Sequence, residues 1–262
     1  MSNMMIDLTG KNILITGTTS GLGRHFALTL AAAGARVAVT GRRIERLQDL
    51  CAEIAGKGGH AFPLALDVQD VQSIKQTVEA SEKALGPINI LINNAGVNGA
   101  GRAIDITPEA YDELFDTNLR GAFFMAAEVA KRMMLRYKSN PQATGKIINI
   151  ASAAAHVLLP GLSLYNMSKA AMAMMTKALA REWGRQGISV NAINPGYIET
   201  ELNSEWFHSD KGRAQIATFL RRRLNQASDL DGMLLLLCSD SSAIMTGAVL
   251  DVDDGQSLLA LG

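Results

Sequence analysis

Seven short, nearly unbroken apolar runs punctuate the chain, with longer stretches of helical spacing between them: Lys11 to Thr16, Arg36 to Thr40, Ala61 to Leu66, Ile88 to Ile92, Lys146 to Ile150, Ser189 to Ile193 and Ala248 to Val252. A strand with one wet face alternates in polarity, whereas a strand apolar throughout needs cover on both faces, and strands that alternate with helices pair in parallel. The expected fold is α/β: a single doubly wound domain over residues 1–262, with a seven-stranded, mostly parallel sheet and helices on both faces. A chain of 262 residues can bury roughly 70 to 75 per cent of its unfolded surface, enough for one sizeable core.

Charge narrows the partners. Lys plus Arg and Asp plus Glu are equal at 25 each, so there is no broad basic field to hold nucleic acid or an anionic membrane. A small-molecule ligand is expected instead. Cys51 and Cys238 lie in apolar helical contexts outside any Cys-x-x-Cys or Cys/His ligand pattern; both are expected to be buried thiols, with no metal, in a reducing cytoplasm. Met1 to Asp7 lacks the basic and long apolar regions of a secretory signal, and the apolar run Met233 to Cys238 is far short of the roughly 20 residues that span a bilayer.

Two motifs carry chemistry. The run Ile13-Leu14-Ile15 leads into Thr16-Gly17-Thr18-Thr19-Ser20-Gly21-Leu22-Gly23 and then an apolar helix from Arg24 to Ala33. Strand, glycine-rich turn and helix aim backbone N–H groups and a helix N-terminus at a pyrophosphate. Tyr165 and Lys169, four residues apart, share one face of a helix, where an ammonium is expected to pull the phenol below its reference pKa of about 10 and make it a usable acid or base. Ser152 ends a strand shortly before them, at the edge where open sheets meet their ligands.

In their order and spacing the glycine segment, Asn93-Asn94-Ala95-Gly96, Asn118, Ser152, Tyr165, Lys169 and Asn194-Pro195-Gly196 resemble the short-chain dehydrogenase/reductases, with 3-oxoacyl reductases among the likenesses, from about Leu8 to Ser257. The resemblance implies a Rossmann domain and hydride transfer between a nicotinamide cofactor and a carbonyl or secondary alcohol. It assigns Tyr165 as proton donor or acceptor, Ser152 as the hydroxyl orienting the substrate oxygen, Lys169 as the ligand of the nicotinamide ribose, and Asn118 as the link from that lysine to a water relay; on residues alone Asn118 is a mid-helix irregularity. It places the cofactor on Gly17, Thr19, Ser20, Gly21, Leu22 and Gly23, with Asp67 and Val68 at the adenine. Asn94, Ala95 and Gly96 follow along the dinucleotide, and Pro195, Gly196, Ile198 and Thr200 sit at the carboxamide, beside Tyr165 and Lys169. Read alone, Asp67 is equally a helix N-cap.

Gly41 occupies the place where NAD-preferring relatives carry an acid, and Arg42 follows it. A guanidinium there can pair with a 2'-phosphate, so NADP(H) is the preferred cofactor and NAD(H) the alternative; Arg42 and Arg43 otherwise begin a solvated helix.

The helix opened by Thr107 and Pro108 carries Leu114, Leu119, Ala122, Phe123, Ala126 and Met133, and the one around Tyr165 to Arg185 is rich in Ala and Met. In the resembled family this pair often joins subunits, so a homotetramer, or at least a dimer, is expected. Lys138 to Gly145 reads as an exposed connection. A polar, irregular segment, Leu202 to Asn225, lies where the family places a substrate lid. Trp206, Phe207 and the residues from Ala153 to Leu159 suggest an apolar pocket wall, or equally plain loop packing. Arg221, Arg222 and Arg223 read as a solvated face or as a contact for an acidic carrier. Substrates compatible with this frame are 3-oxoacyl thioesters, or polyols and sugar acids; a nucleotide-binding regulator without turnover is a third reading. Asp254 stands where the family pattern has glycine, so an altered turn is expected.

Overall fold

The computed structural model describes residues 6–159, 161–200 and 203–258. Seven strands form one sheet: β1 Asn12–Ile15, β2 Arg36–Gly41, β3 His60–Ala65, β4 Ile90–Asn93, β5 Gly145–Ile150, β6 Ile188–Pro195 and β7 Val249–Val252. Their order is β3-β2-β1-β4-β5-β6-β7, and every pairing is parallel. Helices α1 Gly21–Ala32, α2 Ile44–Gly56 and α9 Asp231–Cys238 cover one face, and α3 Val71–Leu85, α5 Ala122–Ser139 and α6 Ser163–Trp183 the other.

β1 shows why the apolar runs are unbroken. Ile13 and Ile15 pack with Phe26, Leu30, Leu50 and Leu234 on one face, while Leu14 between them packs with Val78, Met125 and Ile147 on the other. Neighbouring residues of a strand point to opposite faces, so two cores demand two apolar sets. The expectation fails at the rim. β3 exposes about every second residue and contains Pro63, and β7 is only half covered, because an edge strand has a neighbour on one side and tolerates proline there.

Three further expectations are corrected. The helix begun at Thr107 is not continuous: α4 spans Pro108–Phe115, a π-helical turn spans Asp116–Gly121, and α5 follows. Thr107 does cap α4, accepting from Ala110 N at 3.2 Å. The polar segment after β6 is not irregular; within its described residues it holds α7 Ser204–His208 and α8 Asp210–Thr218. Cys51 is half-buried, since α2 turns it toward the rim of its core, whereas Cys238 is fully buried. Burial raises both thiols, to about 11 and about 12 respectively, which leaves them protonated and inert.

β1 and β4 are neighbours, and their chains leave the sheet in opposite directions. That reversal opens a crevice at the carboxyl ends of the strands, and the residues singled out above gather there.

Candidate active site

The crevice is a cavity of about 1240 Å³. Its floor is backbone brought close by glycines. Gly17 has φ +72°, and a Cβ there would lie 2.8 Å from Ala95 Cα; one at Gly23 would lie 2.2 Å from the Gly17 carbonyl oxygen. No other residue fits either position. Ser20 precedes α1 without a side-chain cap, and the first turn of that helix carries no acid, so its N-terminal N–H groups face the cavity available to an anion.

Thr16, just outside the residues assigned above, ties this floor together. Its buried hydroxyl accepts from Asn94 N at 3.0 Å and Ala95 N at 2.9 Å. Asn94 returns the tie through Nδ2, donating to the carbonyls of Thr16 at 2.9 Å and Gly17 at 3.1 Å. A hydroxyl directly after a strand is the signal that could have found it.

Arg42 is exposed at the rim, and its side chain makes no hydrogen bond or ion pair among the described residues. Arg43, by contrast, donates to Thr19 Oγ1 at 2.7 Å and reaches Ser20 Oγ at 3.5 Å. A Cβ at Gly41 would lie 2.7 Å from Thr19 Cγ2, so Thr19 fills the room an acidic side chain would take. Asp67 is not the cap of α3, which is Asp70; Asp67 closes its own turn by accepting from Gln69 N at 3.0 Å, and it lines the cavity with Val68.

Tyr165, Ser152 and Lys169 meet at the end of β5 and line the same cavity. Lys169 is 4% exposed; its Nζ donates to the Ile150 carbonyl at 3.0 Å and stands 5.6 Å from the centre of the Tyr165 ring. Here the expected electrostatics are corrected. Burial raises the Tyr165 pKa above its usual value, with a hydrogen bond from Ser152 opposing it, and burial pushes Lys169 down to about 8. Desolvation penalises both charged forms, and a cation over the ring face rather than beside the hydroxyl does not outweigh it.

Asn118 is fully buried in the π-helical turn. It accepts from Val97 N at 2.8 Å and donates to Val97 O at 3.0 Å and Ser168 Oγ at 3.2 Å. A Cβ on Gly96 would lie 3.3 Å from Asn118 Oδ1 and 3.7 Å from Lys169 Nζ. The π-helical turn seats the asparagine behind the cavity wall, which Thr117 lines and Asn118 does not; such turns often occur at functional sites. Asn166, beside Tyr165, was passed over: its Nδ2 donates to Ala154 O at 2.8 Å and Val157 O at 2.6 Å, fixing the loop after Ser152.

At and after the end of β6, Pro195, Gly196, Ile198 and Thr200 line the cavity. Gln256, also overlooked, accepts from Tyr197 N at 2.6 Å and stands 2.3 Å from where a Gly196 Cβ would be. Ala153, Ala154, Val157, Leu159, Trp206 and Phe207 form much of the outer wall. His156 points away, toward Asp251 at 3.6 Å. Arg221 and Arg223 are not a free cationic face: both pair with Asp254.

The cradle fits a dinucleotide, with close-approach glycines, an open helix N-terminus and polar side chains at one end. The sequence profile of the short chain dehydrogenases matches residues 11–211. The chain belongs to this family. Among its relatives, gluconate 5-dehydrogenase of Gluconobacter oxydans is 33% identical over 256 residues, covering 96% of each chain. A gluconate 5-dehydrogenase from Burkholderia cenocepacia, solved in complex with NADP and tartrate, superposes with a TM-score of 0.91 at 31% identity, over 98% of both chains. A 3-ketoacyl-(acyl-carrier-protein) reductase from Brucella melitensis, complexed with NADH, gives 0.86 at 32% identity, over 96% of this chain and 100% of that one. This short chain dehydrogenase thus keeps the length and sheet of relatives that differ in substrate and cofactor.

Proposed function

We propose that this short chain dehydrogenase interconverts a carbonyl and a secondary alcohol, using NADP(H), with Tyr165 exchanging the proton. The observation that carries the reading is the convergence of Ser152, Tyr165 and Lys169 on one wall of a cavity whose floor has room only for glycine at Gly17 and Gly23.

The floor residues Gly17, Thr19, Ser20, Gly21, Leu22 and Gly23 would hold the pyrophosphate, Asp67 and Val68 the adenine, and Asn94, Ala95 and Gly96 the centre of the dinucleotide. Pro195, Gly196, Ile198 and Thr200 would bound the nicotinamide, with Lys169 on its ribose. When bound, that group supplies a hydride to the carbonyl carbon or removes one from the alcohol. Ser152 and Tyr165 orient the substrate oxygen by hydrogen bonds, and Tyr165 donates its proton as charge builds there. Burial keeps the phenol in its acid form, which suits reduction; oxidation needs the phenolate and gains as pH rises toward the raised Tyr165 pKa. Asn118 holds the Val97 backbone and Ser168 at the back of the lysine, which supports its place in a proton relay.

Two observations support NADP(H) over NAD(H): the unpaired Arg42 at the rim, and Thr19 in the space beside Gly41. The relatives named for gluconate favour a second reading of the substrate, a polyol or sugar acid, and the 3-ketoacyl reductase solved with NADH keeps NAD(H) as the alternative cofactor. Among carbonyls, the aromatic outer wall favours lipophilic ones, and an acidic carrier would not find Arg221 and Arg223 free. A regulator without turnover would need only the nucleotide floor, and the polar cluster around Tyr165 argues against it. We also read the chain as one catalytic domain with its lid at 202–225, assembled as a homotetramer in the cytoplasm; among the described residues no helix is long and apolar enough to cross a membrane.

Tyr165→Phe is expected to lower kcat by more than about a hundredfold, an ordinary loss for a general acid, while NADPH affinity measured by fluorescence titration stays within about threefold. Retained turnover against β-ketoacyl, diketone, sugar and steroid carbonyls would remove the phenol from the mechanism.

A further inference from the structure

Among the described residues only two that are not glycine have positive φ, Arg222 at +50° and Asp254 at +58°. Arg222 lies between two arginines, Arg221 and Arg223, that both pair with Asp254. Left-handed backbone costs a side-chain-bearing residue energy and persists where its surroundings enforce it. At Arg222 the bend presents the two flanking arginines to one carboxylate: Arg221 Nε lies 3.2 Å from Asp254 Oδ1, and Arg223 Nε lies 2.9 Å from Asp254 Oδ2. The Asp254 side chain is 12% exposed, so the pairs are partly shielded from water. Arg223 also reaches Asp229 at 3.6 Å.

The contact joins two elements that both reach the cavity. Arg221 and Arg223 follow α8, whose Gln215 accepts from Trp206 Nε1 at 3.1 Å. Phe219 stacks on Tyr197 at 5.0 Å. Asp254 belongs to the turn after β7, stiffened by Asp253, which accepts from Gly255 N at 3.0 Å and Ser257 N at 2.7 Å. The same turn carries Gln256, which holds Tyr197 N.

We infer that Asp254 is a positioning residue: gripped by Arg221 and Arg223, it locks the lid to the turn after β7 and so keeps Trp206 in the substrate wall. The inference rests on the proposed carbonyl chemistry only for its kinetic readout. Asp254→Asn keeps the shape and the tolerance of a left-handed backbone but removes the charge. In that variant KM for a carbonyl substrate rises about tenfold, the scale of one lost charge-assisted contact, while kcat and NADPH affinity stay within about twofold.

Acrylamide quenching reads the lid without any substrate, because Trp206 is 49% exposed and Trp183 only 6%. Quenching rises in D254N and in the double variant R221Q/R223Q. Combining all three changes adds nothing further, as expected for one unit. About 0.5 M NaCl reproduces the effect in the unmodified protein and leaves D254N unmoved, since salt screens the pairs. Unchanged quenching in D254N, or an equal salt response in both proteins, overturns the inference. Altered quenching with no turnover of any carbonyl refutes the enzymatic reading and leaves the lock standing.

Discussion

Arg42 and Arg43 are adjacent and do different work. Arg43 is committed to Thr19 and Ser20, so its loss loosens the floor for either cofactor. Arg42 pairs through its guanidinium with none of the described residues, and a 2'-phosphate is the group it would meet. Arg42→Ala is expected to lower the ratio of NADPH to NADH specificity about tenfold or more, one charge-assisted contact's worth; steady-state kinetics with both cofactors checks it, and an unchanged ratio refutes the assignment. The gathering of Tyr165, Lys169, Ser152 and the glycines around one cavity was legible because the chemistry proposed for them requires those residue types at fixed spacing. The direction in which the Tyr165 pKa moves was not: spacing shows that a cation is near, whereas burial decides the balance, and burial is a property of the folded surroundings. Thr16, Asn166 and Gln256 escaped for a related reason. Each acts through backbone groups that become its neighbours only after folding.

At the scale of elements, all seven strands declared themselves by composition, but the edge position of β3 was marked only by Pro63, since its remaining apolar residues read like those of a buried strand. The π-helical turn was visible only as an oddly placed polar residue in an apolar helix. One extra residue in that turn leaves the hydrophobic spacing on either side nearly intact, so periodicity runs through it. α5 and α6 still present Phe123 and Met174 to the outside after packing their inner faces, at 40% and 65% exposure. A shallow groove of about 430 Å³ lies between α4, the π-helical turn and those helices, lined by Phe115, Leu119, Phe124 and Met175 among others. Apolar patches of this kind mark contacts with other chains. Light scattering at micromolar concentration is expected to give four copies of the 27.9 kDa chain, and Met174→Asp is expected to shift the mass toward smaller species. A lone 27.9 kDa chain would remove the tetramer.

For the whole molecule, burying Lys169 makes stability depend on pH. Its pKa falls from 10.5 unfolded to about 8 folded, so between those values the unfolded chain binds more protons and stability rises with pH. The gain is at most about 3 to 4 kcal/mol, since each tenfold change in proton affinity is worth about 1.4 kcal/mol. Tyr165 acts in the opposite sense: its folded pKa is raised above 10.0, so its contribution is present below that value and declines above it. Lys169→Met is expected to flatten the rise between pH 8 and 10 in thermal melts of the cofactor-free protein. Lys146, also lowered by burial, stays in both proteins and cancels in the difference. A rise of equal size in K169M would show that the ammonium is better solvated than its surroundings imply.

β7 is the last strand of the sheet in chain order, yet it holds Asn194 through Asp251, and the turn behind it holds Tyr197. On a ribosome the crevice therefore stays incomplete until β7 and the turn behind it have emerged, and a nascent polypeptide can close its nucleotide floor while its chemistry waits on that strand.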